Sequence, residues 1–190
     1  IELEDESDNT VSHCEFTATY RRTGPQYSIE AKMRHSQAMP PKVDHLLIGA
    51  LKKRALHPRI VFIELNCLGD GTPDGVKEIV RAVASDLKSR EELFTIKGQP
   101  APPAYLFVTN NPVGDEKTPH VYAGSMDAFL MPDFTAKSGP LAEALAWRER
   151  HRGVLELSES LEIHNRIPAT FDGELPEFSF SESREQRLIV

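Results

Sequence analysis

The sequence predicts an α/β fold, a mixed β-sheet flanked by helices. Three observations carry this. Two short runs around a Thr23-Gly24-Pro25 breaker alternate with period two, as half-buried strands do. Two later runs, residues 59–67 and 104–109, are nearly all apolar, which suits central strands covered on both faces. Between them Val76, Ile79, Val80, Val83, Ala84 and Leu87 recur at the spacing of one helix face. A hairpin, a helix, a buried strand, a helix and a buried strand, in that order, call for right-handed βαβ crossovers within one sheet.

At 190 residues the chain is long enough for a single domain, residues 1–190, with a proper core. Hydrophobic residues make up 39% and charged residues 27%, which fits neither a disordered chain nor a membrane protein. No apolar run approaches a bilayer span, so no membrane partner is expected. The chain begins at Ile1 and shows no signal peptide, and residues upstream of Ile1 are expected. Cys14 and Cys67 lie far apart, without histidines at ligand spacing, so they read as buried thiols rather than zinc ligands. A reducing, cytoplasmic compartment follows as the expectation.

The net charge is −7, but it is unevenly spread. Residues 1–15 hold six acids and no Lys or Arg, whereas residues 16–60 hold nine Lys or Arg against Glu30 and Asp44. A basic excess there suits a phosphate-facing surface. Lys52, Lys53 and Arg54 are equally well explained as ordinary helix-surface charges. Residues 1–12 read as an acidic tail, a frayed helix or an edge strand.

In the hairpin, Phe16, Ala18 and Tyr20 share one face of the first strand, and Tyr27, Ile29, Ala31 and Met33 one face of the second. The opposite face carries Glu15, Thr17, Thr19 and Arg21, then Ser28, Glu30, Lys32 and Arg34. With the turn closed near Arg22 and Thr23, Glu15 stands directly across from Glu30. Moved one residue later, the turn makes Glu15 the diagonal neighbour. Two carboxylates on one face suit a hard divalent cation such as Mg²⁺ or Mn²⁺, with the Ala31 carbonyl as a third oxygen. Lys32, pointing the same way, can orient a water or face a phosphate. The plain alternative is a solvated Glu–Lys pair on an exposed strand. Asp8 is a reserve candidate for the first carboxylate.

An acid followed by acid-x-Lys on the second strand of a hairpin, here Glu15 and Glu30-Ala31-Lys32, resembles the PD-(D/E)xK nuclease superfamily. The resemblance covers about residues 13–110, with Glu15 in place of the usual aspartate and no Pro-Asp before it. It implies a restriction-endonuclease-like sheet and metal-dependent hydrolysis of nucleic-acid phosphodiesters. It makes Glu15, Glu30 and Lys32 the catalytic residues, and Glu15, Glu30 and Ala31 the metal ligands. Arg21, Arg34 and His35 would then face the nucleic-acid backbone, and Gln37 would support the site from the start of the next helix.

After the hairpin, residues 42–56 read as a helix with Val43, Leu46, Leu47, Ala50 and Leu51 on one stripe, entered at Pro40-Pro41 and ended by His57-Pro58. Glu64 is the odd carboxylate of the next strand, placed either beside Glu30 or at a strand end. Gly69-Asp70-Gly71 is a turn, since it lacks the Lys-Ser/Thr of a phosphate loop. Thr72 caps and Pro73 opens a helix over about residues 73–92.

Residues 113–190 read as an extension. It starts with short strands or a lid around 121–124 and 128–131. A helix follows from Gly139-Pro140 to about His164, with Leu141, Leu145 and Leu155 inward and Trp147 as an anchor. Arg148, Arg150, His151 and Arg152 make the middle of that helix basic. The extended acidic arm, residues 169–190, offers a surface to this domain, a second copy or a protein partner.

The histidines form no metallohydrolase pattern, and no nucleophile elbow or dinucleotide fingerprint is present. Two rivals to the nuclease remain open. One is an inactive module of the same fold that binds protein or nucleic acid. The other is an α/β enzyme whose small ligand sits at the strand ends near Asn66 and Asn110.

Overall fold

The computed structural model describes residues 2–3, 12–20, 24–67, 72–110, 123–134 and 140–163. In chain order the elements are β1 (Glu2–Leu3), β2 (Phe16–Thr19), β3 (Gln26–Met33), α1 (Asp44–Leu51), β4 (Arg59–Glu64), α2 (Pro73–Ser89), β5 (Thr95–Ile96), β6 (Gln99–Pro100), β7 (Ala104–Asn110), β8 (Ala123–Phe129) and α3 (Leu141–Ile163). A six-stranded mixed sheet has the order β1-β2-β3-β4-β7-β8, while β5 and β6 pair separately. The expected α/β class is therefore observed.

The chain steps across the sheet in one direction, β3 to β4 to β7, with all three strands parallel. Right-handed crossovers then put both connecting helices on the same face. Leu47, Ala50 and Leu51 of α1 and Val76, Val80, Ala84 and Leu87 of α2 pack there on Val61, Ile63, Leu106 and Val108. The other face carries Tyr27, Ile29, Ile60, Tyr105 and Phe107 under Val154, Leu157 and Leu161 of α3. β4 and β7 are thus buried on both sides, which is why their sequences lack alternation.

α2 begins as its sequence suggests. Thr72 accepts a hydrogen bond from the Gly75 N–H at 3.1 Å, with Pro73 in the first turn. α1 is shorter than expected. The Arg54 N–H donates to the Ser12 carbonyl at 2.7 Å, and the Arg54 carbonyl accepts from Cys14 N–H at 3.2 Å. That bridge pulls the chain out of the helix after Leu51. β4 ends at Glu64 rather than Cys67, because Asn66 takes a left-handed backbone with φ 50° and turns the chain. Residues 123–129 form one continuous strand, paired along its whole length with β7, instead of two short strands or a lid.

α3 buries a different stripe from the one expected. Leu141 and Leu145 are 75% and 57% exposed, whereas His151 and Val154 are buried. At Gly153 a Cβ would lie 2.8 Å from the Tyr27 hydroxyl and 3.3 Å from Tyr20 Cγ, so glycine lets α3 approach the sheet closely. Among the described residues no helix is long and apolar enough to cross a membrane. The terminal arm at 169–190, most of the acidic lead-in, Asp8, Arg21 and the turn at 69–71 lie outside the described residues.

Candidate functional site

The site forms where β2 parts from β3. The register pairs Phe16 with Ile29 and Ala18 with Tyr27, and Glu15 stands just beyond the last pair, against Ala31 and Lys32. Of the two registers left open by the sequence, the paired residues from Phe16 to Thr19 follow the one with the earlier turn. The Glu15 N–H donates to the Ile29 carbonyl at 3.0 Å, and there backbone pairing stops. Upstream the chain turns to Arg54, and the Ala31 N–H donates instead to Glu15 Oε2 at 3.3 Å. Backbone groups of alternate strand residues face the same side, so the Ala31 carbonyl opens toward the same gap.

Three charged groups meet at this gap. Lys32 Nζ is in ion-pair contact with Glu30 Oε1 and lies 3.9 Å from Glu15 Oε1. Side-chain exposure falls from 44% at Glu15 through 28% at Lys32 to 0% at Glu30, so the cluster runs inward from solvent. Glu30 pairs with Val61 on the face that α1 covers, and its burial follows. The burial of Glu30 departs from the alternative of a solvated Glu–Lys pair on an exposed strand. Ser28 is also buried, and its hydroxyl accepts from the N–H groups of Leu56 and His57.

Among the described residues neither Glu30 oxygen accepts a directed hydrogen bond, although both are buried. Its compensation among the described residues is the Lys32 ammonium. A fully buried carboxylate held by one ion-pair contact is costly, and an additional cation would relieve it. The donor set, two carboxylates and a backbone carbonyl, is hard oxygen throughout. It fits a Mg²⁺ or Mn²⁺ ion that keeps several of its waters. No group of three or more His, Cys, Asp or Glu able to hold a metal occurs among the described residues, so nothing here resembles a closed chelating site.

The other expected residues divide. His35 and Gln37 are exposed on the segment leaving β3. Arg34 is turned inward and 7% exposed, contrary to the expected phosphate contact. Its guanidinium donates to the Leu65 carbonyl at 3.0 Å, to Cys67 Sγ at 3.1 Å and to the Ala38 carbonyl at 2.7 Å. Arg59 is also buried, donating to the Lys53 carbonyl at 2.7 Å, so the basic excess of residues 16–60 is smaller at the surface than in the sequence. Glu64 pairs with Met33 and so faces away from Glu30. It accepts from the Thr109 hydroxyl at 2.8 Å and the Asn66 N–H at 3.0 Å. Asn110 spends its amide on both backbone groups of Cys67, leaving little for a ligand at the strand ends.

The sequence pattern overlooked His151. It lies 2% exposed among Tyr105, Phe134 and Trp147, not on the basic face of α3. Burial, the largest effect, lowers its pKa, and it pushes Tyr105 up to about 12. The hint in the sequence is Val154, an apolar residue three positions on and so on the same helix face. No family model, curated protein or solved structure matches this chain.

Proposed function

We propose that this chain is a Mg²⁺-dependent nuclease of the PD-(D/E)xK kind, acting on nucleic-acid phosphodiesters through Glu15, Glu30 and Lys32. One observation carries the reading: a buried carboxylate, a half-exposed carboxylate and an ammonium converge at the point where two strands separate. The β2–β3 hairpin followed by parallel β4 and β7 agrees with a restriction-endonuclease-like core. Glu15, Glu30 and the Ala31 carbonyl would hold the cation. When bound, it would supply Lewis acidity to the scissile phosphate and to the attacking water. Lys32 would face the phosphate and offset its developing charge. His35 and Gln37, exposed just beyond, would touch the nucleic-acid backbone. A cytoplasmic setting belongs to the same proposal and accords with the burial of the two cysteines, Cys14 and Cys67.

The test is cleavage of plasmid and single-stranded DNA and of RNA with Mg²⁺ or Mn²⁺, comparing wild type with Glu30→Gln and Lys32→Ala. The expected result is metal-dependent cutting by wild type alone. Cutting that is equal in all three proteins would reject the site. No cutting by any of them, with Mn²⁺ binding that Glu30→Gln leaves unchanged, would favour a non-catalytic binding module.

A further inference from the structure

We infer that Lys32 and a divalent cation compete for the same place, so that Lys32 closes the site until metal enters. This rests on the metal reading of Glu15 and Glu30 above. Lys32 Nζ touches Glu30 Oε1 and lies within 4 Å of Glu15 Oε1. That is the space between the two carboxylates which a shared cation would take. Glu30 is fully buried, and among the described residues neither oxygen takes a hydrogen bond and Lys32 supplies the compensating charge. The pair cannot separate unless another positive charge takes over Glu30.

Charge sets the exchange. Two carboxylates and one ammonium leave a net charge of about −1, which a divalent cation approached with Lys32 in place would overcompensate. Without the ammonium the two carboxylates match the dication. Metal entry therefore lifts Lys32 off Glu30. Lys32 is already 28% exposed and has a flexible stem, so its head-group can swing outward. The displaced ammonium then stands at the solvent side of the gap, where a phosphate would arrive. One movement loads the site and presents the phosphate-facing charge, and the metal-free protein keeps Glu30 compensated.

The test is Mn²⁺ affinity, by calorimetry and by loss of the free-ion paramagnetic resonance signal, for wild type, Lys32→Met, Lys32→Gln and Glu30→Gln. Lys32→Met and Lys32→Gln should each bind Mn²⁺ about five-fold tighter or more than wild type, the low end of the range for coupled sites. Glu30→Gln should not bind. In the unaltered protein, acylation of Lys32 by an amine-reactive reagent, read by peptide mass spectrometry, should rise when Mn²⁺ or Mg²⁺ is added. Unchanged or weaker Mn²⁺ binding in both Lys32 variants, or Lys32 labelling that does not rise, would overturn the competition while leaving a metal site in place. Absence of Mn²⁺ binding in every protein would remove the competition and the metal site together.

Discussion

The Tyr105 hydroxyl lies 2.8 Å from His151 Nδ1, joining the central strand β7 to the covering helix α3, while His151 Nε2 is buried with no hydrogen-bond partner among the described residues. Charging the ring would take protons on both nitrogens and bury an imidazolium with an unpaired N–H, so burial disfavours the charged form. The groups nearest in charge are Asp133, which favours protonation, and Arg150, which opposes it.

The first prediction follows from that ring. Burial holds the folded pKa of His151 below its ordinary 6.5. As pH falls below 6.5 the unfolded chain takes up the proton and the folded one resists. Stability is therefore full above 6.5 and declines below it, toward the folded pKa. Thermal unfolding at a series of pH values checks this. His151→Phe should flatten the slope between neutral and mildly acidic pH, and an unchanged slope would place the sensitivity elsewhere.

A second prediction separates the energetics of Glu30 from its chemistry. Lys32→Met strands a buried carboxylate and should cost about 3 kcal/mol, the low end for breaking a buried pair, because Lys32 is partly exposed. The double variant Glu30→Met with Lys32→Met removes both charges and should recover most of that loss. Urea unfolding of the four proteins in the cycle gives the coupling. A double variant no more stable than Lys32→Met would show that the pair is not coupled as described.

At Gly153 two effects oppose each other. Alanine favours a helix interior by about 1 kcal/mol. Here, however, its Cβ would meet the Tyr27 hydroxyl at 2.8 Å, and that ring is buried. Overpacking should win, with a net loss of about 1–2 kcal/mol in denaturant unfolding. A stabilised Gly153→Ala would mean that Tyr27 moves aside freely.

Arg34 and His35 are neighbours with opposite expected behaviour. Arg34→Met frees the Leu65 and Ala38 carbonyls and should lower stability by about 2–3 kcal/mol, as lost charged hydrogen bonds do. His35→Ala, on an exposed residue, should stay within about 0.5 kcal/mol of wild type. If the nuclease reading holds, His35→Ala should instead weaken nucleic-acid binding, measured by fluorescence anisotropy across a salt series. Equal stability of the two variants would contradict the inward placement of Arg34.

Alternation and spacing along the chain were enough for the hairpin, the register of its paired residues as one of two options, the buried character of β4 and β7, and the start of α2 at Thr72 and Pro73. These features depend on neighbours in sequence, through the two-residue repeat of a strand and the 3.6-residue repeat of a helix. Periodicity says which residues share a face but not what comes to lie on it. Only the packed molecule decided that α1 covers Glu30, that Arg34 turns beneath the end of β4, that Glu64 looks the other way, and that His151 closes onto Tyr105. Each of these is set by contacts between residues distant along the chain, where the crossovers bring helices down on particular strands. The local pattern holds no record of that meeting.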